Sequence, residues 1–512
     1  MQSLREASVN AAAQMQDSEV RPLSIDEAVK LAVEQNLGIR IQRIDPQIQD
    51  TGVALARSNW APNFSTSVSR VGANQPALGI IQPSYSNGTS NLGVGLTQSV
   101  PWGGGNYALN WNSQRLTTTN PFSNYSPQLY SNLQFSFTQP LLRNFSVDQI
   151  RQQVGLSKKV RDLSDVNLQS VITQTLRNVK DAYWDLSYSI NNLKAAQDSL
   201  ALSQQLLKDN QKRVEIGTLA PLDIVQAQAE VASNESGVIV AEAQIKQAQD
   251  NLRTLVLDPA SPDFWTVVFD PTDAASFAAQ AIDVDAAIRN ALDKRTDLRA
   301  AKNSLDQSDI NIKFYSNQIK PDVNAQVNYG TLAYGGTQLS AIEDPFAAAA
   351  GPRTIGSERG YGSVLGDVFT NAYPQWTVGV QIGYPLGANT AHANLARVKL
   401  EYQQSQAQLK NQEMQVAAQV RAAGRNVTTN QKRVESARVS RELQERKLEA
   451  EEKKMAAGMS STFFVFQAQR DLSQARTTEI QAISDYNKSL VDFEAVQQVP
   501  INGSVNAVQV AR

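Results

Sequence analysis

Residues 171–214 read VITQTLRNVKDAYWDLSYSINNLKAAQDSLALSQQLLKDNQKRV. Within this stretch every seventh residue from Val179 is apolar: Val179, Leu186, Leu193, Leu200, Leu207 and Val214. A seven-residue repeat held this long predicts a helix with one continuous packing seam and a slight left-handed supercoil. The helical pattern extends over 146–216. At ~1.5 Å per residue it makes a rod roughly 100 Å long, where an ordinary globular helix has three or four turns. On the other side of the same helix Leu176, Tyr183 and Ile190 give way, at the same spacing, to Gln197, Gln204 and Gln211. A seam that turns polar toward one end suits the wall of a water-filled tube, and equally a solvated helix end.

Working outward, Gly217-Thr218-Leu219-Ala220-Pro221 stops the rod. Gly suits the position after a helix and Pro the first turn of the next, so a helical hairpin is predicted. Its return helix, 221–257, carries the seam Ile224, Val231, Val238, Ile245 and Leu252. Ala229, Ser236 and Ala243, also at heptad spacing, let a neighbouring helix approach closely. Upstream, Ser24-Ile25-Asp26-Glu27 fits the capping box and predicts one helix over 24–58, ended by Pro62.

Between that helix and the rod, residues 62–140 change to period two. Phe64, Thr66 and Val68; Leu92, Val94 and Leu96; Tyr107, Leu109 and Trp111; and Leu133, Phe135 and Phe137 each alternate with small or polar residues. Trp60, Trp102, Tyr125 and Tyr130 lie in or beside these runs. Outer-membrane strands with aromatic girdles show this pattern, and a soluble sandwich alternates the same way.

The chain then repeats. After a polar segment 1–22, a first repeat (23–257) and a linker (258–283), a second repeat (284–499) holds helices 284–318, strands 321–386, a long helix 390–457 and a return helix 461–498; a tail, 500–512, follows. Asp283 to Ala287 echoes Ser24 to Ala28, Pro321 echoes Pro62, and Gly458-Met459-Ser460-Ser461-Thr462 is the second turn. Val420, Val427, Val434, Leu448 and Met455 form the second seam, with Arg441 a polar break. Val465, Leu472, Tyr486 and Phe493 line its return, and a Gly-rich loop is expected over 330–373. Matched residues stand 245 apart before the long helices and 241 apart at the turns, which predicts a second long helix shorter by four residues. A unit this long is a duplication rather than a solenoid repeat.

Composition narrows the chemistry. There is no cysteine, and His392 is the one histidine, so thiolate sites and histidine-based metal sites or proton relays are disfavoured. A net charge of -2 gives no basic field for nucleic acid. No apolar run approaches the ~18 residues of a membrane-spanning helix. Residues 2–21 are polar and do not read as a signal peptide, which implies either a cytoplasmic protein or one whose secretory signal has been removed. No enzyme, metal site or cofactor is expected. Four to six short strands cannot close a barrel, since the smallest have about eight, and an open edge in lipid leaves backbone groups unsatisfied. Membrane-spanning strands would therefore have to be shared between chains. In Arg441 to Lys454 the pairs Glu442–Arg446 and Glu449–Lys453, four apart, read as a solvated helix face.

The layout resembles the TolC-type outer-membrane efflux and secretion channels over residues 22–499. The resemblance rests on Leu23-Ser24-Ile25-Asp26-Glu27-Ala28, Thr138-Gln139-Pro140-Leu141, Gly217 to Asp223 leading to Gln226-Ala227-Gln228, and Gln467-Ala468-Gln469-Arg470. It implies an internally duplicated, mixed α and β membrane protein: long antiparallel helical hairpins forming an α-barrel, joined to a transmembrane β-barrel shared by a homotrimer. It implies a belt from 1–22, 258–297 and 499–512. Its expected partners are outer-membrane lipid, a periplasmic adaptor (membrane fusion) protein docking at the tips, Gly217, Thr218, Leu219, Gly458, Met459 and Ser460, and an inner-membrane transporter that supplies energy. The function implied is a passive exit duct of a tripartite efflux pump or type I secretion system. The alternative is a periplasm-spanning coiled-coil protein without a conducting lumen.

Members of this family build a constriction near the start of the second return helix, some with rings of aspartate. Here Phe464 and Gln467 stand where some members carry Asp, Phe463 stands at a leucine-ring position, and Ser460 replaces a basic residue. Asp223 matches its counterpart. The expected constriction is thus Phe463, Phe464 and Gln467 with Asp223, closing by sterics and dewetting; the bland alternative is that the two phenylalanines pack between helices. The hairpin 92–115 is an addition that either widens the barrel or extends its outer side.

Overall fold

The computed structural model describes residues 20–77, 84–273, 277–340, 353–384, 386–387 and 389–498. The chain falls into two compact units: a helical unit of Met1–Ile48, Asp162–Asn303 and Gln406–Arg512, and a sheet unit of Gln49–Arg161 and Ser304–Ser405. Residues 1–19 of the polar segment and the tail from 499 onward lie outside the described residues.

The chain enters through β1 (Val20–Leu23), and the helix expected over 24–58 is three helices, α1 (Ile25–Gln35), α2 (Leu37–Gln42) and α3 (Asp45–Ser58). Ser24 caps α1, accepting from the Glu27 amide at 3.2 Å. The Glu27 carboxylate does not complete the box but pairs with Arg21 at 3.1 Å. Asn36 makes the first break. Its side-chain oxygen accepts from Ile39 N at 3.1 Å, capping α2, and its amide donates to the Leu255 carbonyl at 2.9 Å. A side chain that caps from inside an amphipathic run competes with helix continuation. Pro46 in the first turn of α3 sacrifices no intrahelical bond.

Residues of the 258–283 linker supply β6 (Val268–Pro271), which pairs in parallel with β1, Val20 opposite Val268. Leu23 and Phe269 are buried in one core with Val179, Tyr183, Leu186, Leu252 and Val256. The Tyr183 hydroxyl lies 3.1 Å from the Leu23 carbonyl and 2.7 Å from Asp273 Oδ2, fastening this two-stranded sheet to the long helix. The second repeat opens with α6 (Val284–Lys294) and α7 (Thr296–Gln318), separated at Arg295, which is extended with ψ 131°. Arg295 lies 259 residues after Asn36, the offset that relates Pro321 to Pro62, so both repeats break at one position.

The long helices are α4 (Gln149–Glu215) and α9 (Thr390–Ala456); their returns are α5 (Pro221–Val256) and α10 (Thr462–Gln497). Both long helices contain 67 residues, which corrects the expectation of a shorter second one. The four-residue difference falls in the connection instead: eight residues separate Pro140 from Gln149, and four separate Pro385 from Thr390. Val179 and Leu186 in α4, and Val420, Val427, Val434 and Leu448 in α9, are buried. Arg441, the polar break, donates to Glu479 at 2.5 Å and Glu445 at 2.8 Å. Of the two surface pairs, Glu449–Lys453 forms at 2.6 Å; Glu442 is instead taken by Arg438 at 3.3 Å. Gln197, Gln204 and Gln211, and likewise Ala229, Ser236 and Ala243, are exposed in the single chain.

In the sheet unit β2 (Asn63–Gln75), β3 (Tyr85–Ser99), β4 (Asn106–Thr118), β5 (Tyr125–Pro140) and β7 (Asp322–Leu339) pair in that order, all antiparallel. The far side of β7 is divided between β9 (Pro374–Gly383), along Asp322–Thr331, and the short β8 (Ile355–Arg359), along Gly336–Leu339. The 92–115 hairpin therefore adds two strands in mid-sheet. The loop expected over 330–373 is overturned in part: β7 runs to Leu339, and β8 is followed by a short helix, α8 (Tyr361–Phe369). Residues 341–352 lie outside the described residues.

Candidate functional site: the hairpin tips and a two-faced sheet

The two turns of the helical unit are copies of one another. Gly217 and Gly458 have φ of 76° and 75°, a left-handed conformation open to glycine. Thr218 N donates to Arg213 O at 2.8 Å and Met459 N to Lys454 O at 2.8 Å, while Gly217 N reaches Val214 O at 3.0 Å and Gly458 N reaches Met455 O at 3.1 Å. Both turns thus close with the paired bonds of a Schellman motif. Gly217, Thr218, Gly458 and Met459 are exposed, and Leu219 and Ser460 half-buried. The Ser460 hydroxyl donates to Glu451 at 2.8 Å. Hydrogen bonds from Lys454 and then Ser460 hold the Glu451 carboxyl below the usual carboxylate range.

The residues expected at a constriction separate into two groups. Phe463, Phe464 and Gln467 share the open side of the first turns of α10, because they stand three and four apart. Each phenylalanine is 53% exposed, and the rings meet edge to face with centroids 5.6 Å apart. They do not pack between this chain's helices. That role falls to Val465, Phe466 and Ala468, buried against Leu206, Ala227, Leu448 and Leu472. Asp223, by contrast, is half-buried. One of its oxygens accepts from Ala220 N at 3.2 Å, capping α5, and the other accepts from the Thr462 hydroxyl at 2.8 Å. Thr462, buried at the start of α10, is the residue that sequence reading missed. Nothing local marks it, since its partner lies 239 residues away.

Midway along the helical unit, α4 and α10 carry facing charges. Arg177 pairs with Asp492 at 2.5 Å, Lys180 with Glu494 at 3.2 Å, and Lys488 with Asp185. Asp181 lies among them with Oδ1 buried and lacking a hydrogen-bond partner. Burial, and next the neighbouring Asp492, push its carboxyl up to about 6; Arg177, 3.8 Å away, and Lys488 oppose them.

The sheet has two chemically distinct faces, set by period two. Aligned across the strands, Phe64, Leu96, Leu109, Phe135, Tyr329 and Trp376 form one row. Thr66, Val94, Trp111, Leu133 and Thr331 form the next row on the same face. The opposite face carries Ser65, Gly95, Asn110, Gln134, Gly330 and Gln375. At both sheet edges the apolar face lies open: Phe64, Val68, Trp376, Val378, Val380 and Ile382 are all exposed. Every residue of β9, and all but one of β2, is exposed. Among the described residues the outer edges of β2 and β9 have no strand beside them.

Among the described residues no helix is long and apolar enough to cross a membrane, and no cluster of metal-ligating side chains occurs. The sequence matches the family model described as outer membrane efflux protein over residues 104–256 and 287–496. A search of curated proteins finds no match. The fold is similar to that of the CmeC outer membrane channel of Campylobacter jejuni, at 14% identity and a TM-score of 0.62, covering 92% of this chain and 85% of that one. It is similar to the outer membrane protein VceC of Vibrio cholerae, at 14% identity and 0.63, covering 92% and 95%. It is similar also to the open state of the MtrE outer membrane channel of Neisseria gonorrhoeae, at 17% identity and 0.62, covering 92% and 88%. The family match spans more than half of the 512 residues, so the chain belongs to the outer membrane efflux protein family of channels.

Proposed function

We propose that this protein is a passive exit duct, three copies of which form one conduit through the outer membrane and across the periplasm for a tripartite efflux pump or type I secretion system. The observation that carries the reading is the sheet: one exposed apolar face, one polar face, and two edges without partners. In lipid each unsatisfied backbone group costs several kcal/mol. Among the described residues the sheet has six long strands plus β8, below the ~8 that closed membrane barrels require. Joining β2 of one copy to β9 of the next removes both edges, turns the apolar face to lipid and encloses the polar face. Six long strands from each of three copies make a barrel of porin size, wide enough for an aqueous channel.

The helical unit supports the same reading. Its exposed glutamines suit a wet wall, and its exposed Ala229, Ser236 and Ala243 suit close approach of a neighbouring copy's helix. The tips Gly217–Leu219 and Gly458–Ser460 dock a periplasmic adaptor, and an inner-membrane transporter supplies the energy. Phe463 and Phe464, with Gln467, narrow the tunnel at those tips, while Asp223 steadies the hairpins behind them.

Purified protein in planar lipid bilayers tests the proposal. Expected are discrete conductance steps from a species with the mass of three chains. A stable monomer that gives no steps would establish the structural coiled-coil alternative.

A further inference from the structure

The helix α8 lies on the apolar face of the sheet. Val364 and Val368 are buried against Leu129, Leu133 and Ala333. Leu129 and Leu133 have the strand parity of Phe135, whose side chain is on the apolar face. The Tyr361 hydroxyl is hydrogen-bonded to the Ser113 hydroxyl, on that same face two residues from Trp111. The approach is close: a Cβ at Gly335 would come within 2.4 Å of Val364 Cγ2. After the helix, the Asn371 amide donates to the Tyr329 hydroxyl at 2.6 Å.

Among the described residues nothing packs over the outer side of α8, and it carries little charge. Tyr361, Gly362, Gly366 and Phe369 are exposed, Phe369 by 71%. The one charged side chain, Asp367, is taken by Arg359. Tyr373 and Trp376, next along the chain, are exposed as well. Arg115, two residues beyond Ser113 on the same face, is exposed, and in its cross-strand row stands Arg70, also exposed. Neither arginine belongs to an ion pair among the described residues.

Height along the strand locates the helix. Ala333 is eleven residues from Asp322, where β7 begins. At ~3.3 Å per residue and a ~40° tilt this is roughly 28 Å of height, close to the full apolar band of a membrane barrel. Aromatic side chains with arginines just beyond them mark such a boundary.

Resting on the duct reading above, we infer that α8 is an interfacial helix on the outside of the barrel. Its occupant is the outer leaflet: Phe369 enters the acyl-chain boundary, Tyr361 stays at the sheet surface with its hydroxyl held by Ser113, and Arg115 extends to the anionic headgroups. The helix is a collar that holds the barrel at a fixed depth, not a plug in the pore.

The chain's lack of cysteine makes the test direct. Phe369→Cys and, independently, Gly366→Cys are nitroxide-labelled; both positions are open, so neither substitution disturbs packing. Val378→Cys on the apolar face and Thr377→Cys on the polar face serve as references. Each full-length protein is reconstituted into vesicles of phosphatidylcholine with phosphatidylglycerol, and collision rates with oxygen and with a water-soluble nickel chelate are compared. Expected are oxygen-dominated labels at 366 and 369, at shallower depth than 378. Nickel-dominated labels at 366 and 369, with 378 still in lipid, would place α8 in water and overturn the inference alone. A nickel-dominated label at 378 would overturn the duct reading itself.

Discussion

The Thr462 hydroxyl donates to Asp223 Oδ1 at 2.8 Å, tying the first turn of α10 to the first turn of α5. The same carboxylate caps α5 through Ala220 N. A hydrogen bond to a charged group contributes about 1.5–3 kcal/mol, enough to bias two slender tips toward one arrangement. Thr462→Val keeps the shape and the cap and removes only the tie. The expected result is a larger or more frequently open conductance in planar bilayers, with the melting temperature lowered by no more than a few degrees. Conductance equal to that of the parent would show that the tie does not hold the tip closed.

Neighbouring phenylalanines at the start of α10 have opposite surroundings, open for Phe463 and Phe464 and buried for Phe466. Phe463 and Phe464 are half exposed, so alanine at either position is expected to cost under about 1 kcal/mol of stability yet raise conductance. Phe466 is 4% exposed in the tip core, and Phe466→Ala is expected to cost about 3–5 kcal/mol. Denaturation curves alongside single-channel recordings check both halves. If Phe463→Ala and Phe464→Ala both leave conductance unchanged, neither ring lines the narrowest point.

Much of this architecture is legible in the sequence because it depends on local periodicity. The heptad seam through Val179 and Leu186, the glycines at 217 and 458, and the alternation through Leu133, Phe135 and Phe137 each mark their elements directly. What is not legible depends on distant partners. Asn36 interrupts an apolar pattern that would suit one helix, because its side chain caps α2 and binds Leu255. The stretch from Tyr361 to Phe369 contains two glycines and has weak helix propensity; it is helical where Val364 and Val368 can pack on the sheet. Four-residue β1 finds β6 across nearly 250 residues, which no local pattern announces. The candidate site divides likewise: the exposed side of α10 follows from spacing, whereas the Thr462–Asp223 tie requires the fold.

Asp181 gives the helical unit a pH dependence. Its carboxyl is raised to about 6, by burial and then Asp492, from ~3.9 in an unfolded chain. Between these values the folded state holds the extra proton, so stability falls as pH rises from about 4 to about 6 and is flat beyond. Asp181→Asn removes the part-buried charge and is expected to abolish that decline, giving a variant more stable at pH 7. Melting at pH 4, 6 and 8 checks it. A variant less stable than the parent at pH 8 would mean that the pairing with Arg177 outweighs burial.

Arg441 interrupts an apolar seam, yet Glu479 and Glu445 satisfy it. Breaking such a pair from one side leaves a partly buried charge, so Arg441→Leu alone is expected to destabilise by about 2–4 kcal/mol. Adding Glu479→Leu removes the stranded carboxylate and is expected to recover most of the loss. Denaturation of both single variants and the double variant measures the coupling. Additive effects would show that the two charges do not depend on each other.

The added hairpin β3–β4 allows a test of barrel size. Strands alternate direction across the sheet, so excising the pair from Tyr85 to Thr118 leaves β2 antiparallel to β5. Polarity also matches, because Phe64 and Phe135 occupy the same face. Both edges of the shortened sheet remain β2 and β9, so joining between copies needs no new contact. The shortened protein is therefore expected to assemble with four long strands per copy and to admit smaller neutral polymers at its membrane end. If the tips set the resistance, its conductance at moderate salt changes little while the polymer cutoff falls. An unchanged cutoff would place β3 and β4 outside the pore wall and return the barrel to a narrower design.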